Sequence, residues 1–156
     1  MKLADIKVLE NELDHIERFI PQSESINTSI SKTNVAWHLD HSLKVINAVI
    51  ATMQKSDPAL YIDNFSFSGK VLLTLKFFPR GKAKAPKHVL PSDTILVEDI
   101  KTQLAEARQN IKSITDLDKN AYFKHPLFGK VNTFRVIRFI DVHTNHHLKI
   151  VKSILL

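Results

Sequence analysis

The histidines of this chain are its candidate functional residues, because imidazoles bind metal ions and transfer protons. The sequence has eight histidines and no cysteine, which excludes disulfides, thiolate metal sites and a cysteine nucleophile. His143 and His147 are four residues apart, so a helix would place both imidazoles on one face, about one turn apart. Two neutral imidazoles so placed can chelate one metal ion. The pair therefore predicts metal chemistry if a third ligand lies nearby.

Both histidines lie on an apolar stripe of the last predicted helix. The stripe consists of Val136, Ile140, His143, His147, Ile150 and Ile154. Its alternating steps of four and three residues are typical of a helix packed in a bundle. A buried imidazole without a partner costs on the order of 1–3 kcal/mol, and one metal ion would satisfy both rings. Hydrogen bonds to Ser42, Thr144 or the backbone are the alternative that periodicity leaves open.

His38 is the predicted third ligand, because it lies in the apolar register of the second predicted helix. Three imidazoles from two helices would leave a coordination position for water or substrate, as in catalytic sites. Nitrogen ligands suit Zn(II), Ni(II), Fe(II) and Mn(II), so the metal is not determined. His41 and His146 lie on flanking strips; each is a candidate for a catalytic general base or an orienting residue, and a solvated surface position is the alternative for each. Trp37 is expected to pack against a neighbouring element, and Asp40 and Asp141 are expected at the surface.

Four amphipathic helices must position these residues. They are predicted from Leu3 to Pro21, from Ser31 or Thr33 to about Lys55, from Pro91 to about Ile114, and from Asn132 or Thr133 onward. This pattern predicts an all-α fold, with one four-helix-bundle domain over residues 1–156. The connection of roughly 35 residues between the second and third helices is too long for a hairpin. It predicts a crossover and an up-down-down-up topology, and its apolar run Val71–Phe78 predicts a short helix or strand.

The net charge of +6 lies in one segment of the crossover. Six basic residues and no acid lie between Gly69 and His88, namely Lys70, Lys76, Arg80, Lys82, Lys84 and Lys87. Because no helix has a basic face, dedicated nucleic-acid binding is not expected. Three glycines exclude a Gly-rich phosphate loop. No signal peptide or membrane span is recognisable, so a cytoplasmic location is expected.

Three segments carry a resemblance to a known family. Residues 37–43, WHLDHSL, resemble the first metal motif of the DinB-like (DNA-damage-inducible) superfamily, which includes the bacillithiol-transferase type. Residues 125–130, HPLFGK, and 143–149, HTNHHLK, resemble a branch that pairs an HPxFG turn with a closing HxxxHH helix. The basic loop at Phe78–Lys82 is also similar, and the resemblance covers most of the chain from about Asn34 onward.

The resemblance implies an up-down-down-up four-helix bundle, often dimeric, with a divalent metal held by three histidines. That ligand pattern falls on His38, His143 and His147, whereas His125 is interpreted as structural. Characterised relatives are metal-dependent and use bacillithiol or mycothiol, which implies a thiol-dependent transferase or a hydrolase acting on a small molecule. Since the chain lacks cysteine, the thiol must be an external low-molecular-weight compound, and the basic residues of loop 70–87 are candidates for guiding an anionic one.

Two alternatives to an enzyme remain open. The chain could bind metal without catalysis, or the basic loop could make it a non-catalytic binding module. The sequence does not determine the substrate, the general base, the physiological metal or the role of loop 70–87.

Overall fold

The computed structural model of the chain describes residues 3–81 and 84–156 and is mostly helical. The α-helices are α1 (Leu3–Phe19), α2 (Val35–Lys55), α3 (Phe67–Leu75), α4 (Val97–Ser113) and α5 (Thr133–Ile154). The strands are β1 (Tyr122–His125) and β2 (Gly129–Asn132). None of the described helices is both long and apolar enough to cross a membrane.

The four long helices pack around one apolar core. α2 and α1 each pack against both α4 and α5. The buried side chains form a continuous cluster to which every α-helix contributes. Its largest fully buried members are Leu9, Leu13, Ile16, Leu39, Leu43, Ile46, Ile50, Met53, Ile100, Ile111, Ile114 and Ile140. The predicted apolar stripes therefore face this core, which confirms the helical class.

A β-hairpin corrects the expectation of an all-α fold. β1 and β2 pair in antiparallel register, from Tyr122 opposite Asn132 to His125 opposite Gly129. The backbone N–H groups of Leu127 and Phe128 donate to His125 Nδ1 at 3.1 and 3.2 Å. The imidazole thus closes the turn between the strands. This contact agrees with the structural role expected for His125.

The start of α2 differs from the predicted one. Asn34 is the N-cap, since its side-chain oxygen accepts a hydrogen bond from the Trp37 N–H at 3.0 Å. The helix starts predicted at Ser31 or Thr33 are therefore too early. Both hydroxyls instead lie against a histidine of α2, at the site described below.

The long connection between α2 and α4 contains a helix. α3 begins after Ser66, whose hydroxyl accepts from the Gly69 N–H. This confirms the helical alternative for the apolar run. α4 begins at Val97, later than predicted from Pro91. Of the predicted basic loop, Lys82 lies outside the described residues.

Candidate metal centre

Three histidines from two helices converge between α2 and α5. They are His41 of α2 and His143 and His147 of α5, and one ligand nitrogen from each lies within 4.8 Å of the others. Their ring centroids are 4.8 to 5.2 Å apart. The spacing of four residues on α5 produces one side of this triangle, as the sequence predicts. Such a group of nitrogen atoms can hold one divalent cation.

The orientation of His41 is determined by its backbone contact. The ring is buried, and its Nδ1 lies 2.8 Å from the carbonyl oxygen of Val89. Because a carbonyl can only accept, Nδ1 carries the proton and Nε2 keeps its lone pair in the neutral ring. Trp37 stacks on the same imidazole, with centroids 5.0 Å apart. His41 is thus held in the tautomer whose Nε2 is a ligand atom.

His143 has a buried nitrogen that lacks a partner. Its Nδ1 makes no hydrogen bond with any described residue. Two aromatic rings, those of Phe139 and Phe78, lie beside it with centroids at 6.0 and 6.5 Å. Buried polar atoms normally have a hydrogen-bond partner. Since this nitrogen has none among the described residues, a metal ion is a suitable partner for it. The residues present therefore fit a metal ion.

His38 lies beside the cluster, with both ring nitrogens in contact with protein atoms. Its Nδ1 is 3.0 Å from Nδ1 of His147, and its Nε2 is 3.0 and 3.2 Å from the hydroxyls of Ser31 and Thr33. The grouped set therefore contains His41, whereas the sequence predicts His38. The ligand role of His38 stays a prediction. Its observed contacts are those of a residue that orients His147.

His146, the other predicted catalytic candidate, lies at the rim. Its ring is 5.0 Å from that of His147, and the side chain is only partly buried. Burial lowers the pKa of this imidazole, and so does the positive charge of Arg80. The catalytic roles predicted for His41 and His146 stay predictions.

Burial keeps the imidazoles of the site uncharged. It lowers the pKa of His38 to about 4 and those of His143 and His147 well below the ordinary value of 6.5. Burial also lowers the pKa of His41, although the Val89 carbonyl opposes this by favouring the charged ring. Neutral imidazole is the form that binds metal ions. The site is therefore ready for a cation at neutral pH.

A comparison with known families identifies the superfamily of the chain. The sequence profile of the DinB superfamily matches residues 10–151. The chain belongs to the DinB superfamily. No curated protein and no solved structure matches it significantly. The resemblance is thus confirmed at the level of the superfamily, whereas the branch with the HPxFG and HxxxHH motifs stays a prediction.

Sequence reasoning missed part of the surroundings of this DinB site. No sequence pattern predicts the contact with the Val89 carbonyl, because every residue has a backbone carbonyl. Trp37 lies against His147 of α5, a neighbouring element as expected, and it also stacks on His41 of its own helix. Asp40 and Asp141, expected at the surface, are only 2% and 6% exposed. Their neighbours explain this, since Asp40 contacts Lys44 and Gln103, and Asp141 lies against α1.

Proposed function

We propose that this DinB superfamily protein binds a divalent metal ion through His41, His143 and His147. The observation that carries the proposal is the convergence of three ligand nitrogens within 4.8 Å of one another, in a site where a buried nitrogen of His143 has no partner among the described residues. Two of the three residues are those that the sequence predicts. Zn(II), Ni(II), Fe(II) and Mn(II) all accept imidazole ligands, so the metal is left open.

The neighbouring residues orient the ligands. Val89 holds His41 with Nε2 free, and His38 contacts Nδ1 of His147. The rings of Phe78 and Phe139 lie beside His143. Hydrogen-bonded partners of this kind tune the affinity of metal sites.

We further propose that the protein is a metal-dependent enzyme, a thiol-using transferase or a hydrolase. A divalent ion bound by three imidazoles would lower the pKa of a water or thiol in a remaining position. Any thiol must come from a small external molecule, because the chain has no cysteine. The Arg80 charge acts on both His38 and His146, so an anionic cofactor or substrate would meet a cation at the rim.

The same proposal includes the topology of the helices, the oligomeric state and the cellular location. The packing of α1 and α2 against both α4 and α5 supports a four-helix bundle, whereas the up-down-down-up order of its helices remains an expectation from the sequence. A homodimer and a cytoplasmic location remain expectations from the sequence.

Metal content tests the proposal. Protein made without a histidine tag is analysed by elemental mass spectrometry, and metal-stripped protein is titrated with Zn(II), Ni(II), Fe(II) and Mn(II) by calorimetry. We expect about one ion per chain. His143→Ala should lose it, whereas His15→Ala on α1, outside the cluster, should retain it. Sub-stoichiometric metal together with no heat of binding for any of the four ions would refute the proposal.

The same preparation separates the alternatives. Metal-loaded protein that transfers no thiol and hydrolyses no substrate across a broad panel would favour metal binding without catalysis. Salt-sensitive binding of DNA or an acidic peptide, lost in the double variant Lys84→Gln and Lys87→Gln, would favour the basic-loop module.

A further inference from the structure

A pocket lies away from the histidines. It has a volume of about 490 Å³ and is formed by α1, the end of α3, the segment after α4 and the first half of α5. We call it the α1/α5 pocket. None of the three clustered histidines lines it. Its volume is in the range of small-molecule sites, roughly 300–1,000 Å³.

The pocket contains three cations for one carboxylate. Lys76 Nζ and Arg138 Nη1 each lie 3.6 Å from the same Asp141 oxygen, and Lys119 makes no ion pair with any described residue. Glu12 interacts with Asp141, but burial, followed by the Asp141 charge, raises the pKa of Glu12 to about 9. Glu12 is therefore neutral at pH 7 and does not offset the excess of positive charge.

The backbone of Lys76 is unusual for its residue type. It is the C-cap of α3 in the left-handed conformation, with φ 51° and ψ 43°, and no other described non-glycine residue has a positive φ. Glycine or asparagine usually occupies this position, because a Cβ is strained there. The backbone conformation at residue 76 therefore gives no reason for a lysine at this position. Its ammonium group lies in the α1/α5 pocket, where it contacts Asp141.

The remaining lining is largely apolar. Val8, Leu117, Phe134 and Ile137 contribute to it, and the Phe134 side chain is 75% exposed. An exposed aromatic ring beside cations that outnumber the carboxylates suits an amphipathic ligand, which has a charged end and an apolar end. A charged head would pair with the cations, and a hydrocarbon part would cover the ring.

We propose that the α1/α5 pocket binds a small amphipathic anion, a carboxylate with a short hydrocarbon chain. Octanoate is the probe, 1-octanol matches its chain without the charge, and acetate matches its head without the chain. The three are titrated into ¹⁵N-labelled full-length protein, and amide shifts are followed by NMR. We expect saturable octanoate shifts at α1, the α4–β1 segment and the first half of α5, with 1-octanol and acetate about tenfold weaker.

Variants separate binding from folding. Lys76→Gly removes a cation at a position that favours glycine, so the melting temperature should stay or rise, whereas octanoate affinity should fall roughly three- to tenfold. Lys119→Gln should weaken octanoate to a similar extent. Lys152→Gln changes an exposed residue of α5 outside the pocket and should leave the affinity unchanged.

Three results would overturn the proposal. One is equal affinity for octanoate and 1-octanol. Another is an equal loss of octanoate affinity in Lys152→Gln and in the two pocket variants. The third is a set of octanoate shifts confined to exposed Phe67 and its neighbours on α3, which would indicate adventitious association with an apolar surface.

Discussion

His38 and His41 differ in what their ring nitrogens contact. Both nitrogens of His38 are hydrogen-bonded, whereas His41 uses Nδ1 alone and keeps Nε2 for the cluster. We therefore expect His41→Ala to abolish measurable metal binding. His38→Ala should weaken the affinity by about 10–100-fold, the usual effect of removing a partner that orients a ligand. Calorimetric titration of the metal-stripped variants measures the difference.

His88→Ala is the matched control, since His88 is an exposed histidine close in sequence to Val89. Its metal affinity should equal that of the unmutated protein. The opposite ranking, with His38→Ala devoid of metal and His41→Ala only weakened, would assign the third ligand to His38, as the sequence predicts.

Glu12 is a carboxyl group whose ionisation the fold suppresses. It is 6% exposed, and neither oxygen makes a hydrogen bond of normal geometry with a described residue. Burial raises its pKa to about 9, so the unfolded chain releases a proton that the native state keeps, and stability falls as pH rises from about 4.5 towards 9. At pH 7, Glu12→Gln should therefore raise the free energy of unfolding by on the order of 1–3 kcal/mol.

Urea unfolding at pH 5, 7 and 9 checks the sign. The gain from Glu12→Gln should be smallest at pH 5 and grow with pH. Glu10→Gln, on the same helix but not buried, should change stability little at any pH. A loss of stability in Glu12→Gln at pH 9 would contradict the predicted direction.

The β-hairpin depends on a glycine at its turn. Gly129 has φ +80°, and a Cβ there would lie 2.5 Å from the Asn64 carbonyl oxygen and 2.7 Å from its side-chain oxygen. That side-chain oxygen accepts from the Lys130 N–H at 2.7 Å, which attaches β2 to the loop before α3. Gly129→Ala should therefore cost more than left-handed strain alone, about 2–4 kcal/mol.

Gly81 provides the matched comparison. It has φ +68°, but a Cβ there would meet no described atom within 4 Å. Gly81→Ala should cost only about 1 kcal/mol, the strain of the backbone itself. Urea denaturation of the two variants measures both values. Equal losses of stability would show that Asn64 can move away from the added Cβ at no cost.

The positions of the long helices were predictable, but the direction of each α2 side chain was not. Stripes of apolar residues locate α1, α4 and α5, because each buries one face against the core. α2 is different, since it packs against both α4 and α5 and buries consecutive residues from His38 to Leu43. A helix buried on most sides has no single stripe. Periodicity therefore could not choose between His38 and His41.

The hairpin was missed for a related reason. Its strands have only four residues each, with the sequences YFKH and GKVN, and neither alternates polar and apolar residues over a useful length. What holds it is a set of contacts distant in sequence, such as Asn64 with Lys130. Such contacts cannot be predicted from a local pattern.

At the scale of the whole molecule, buried neutral histidines make the fold sensitive to acid. Burial lowers the pKa of His125, at the hairpin, to about 4. In the unfolded chain the value is near 6.5, so between these limits the unfolded state binds more protons and stability falls as pH falls. The buried imidazoles of the metal centre act in the same direction when no ion is bound. Glu12 acts in the opposite direction and should offset part of the loss.

Metal-stripped protein should therefore lose stability as pH falls from 6.5 to 4, by on the order of 2 kcal/mol from His125 alone. Urea midpoints at pH 7.5, 6 and 5 measure the slope. His125→Gln should flatten it, because glutamine has no proton to gain, whereas His15→Gln should not. Zn(II) should raise the midpoint most at pH 7.5, since protons compete with the ion for the same imidazoles. An equal shift at pH 5 would mean that the bound ion does not use histidine nitrogens.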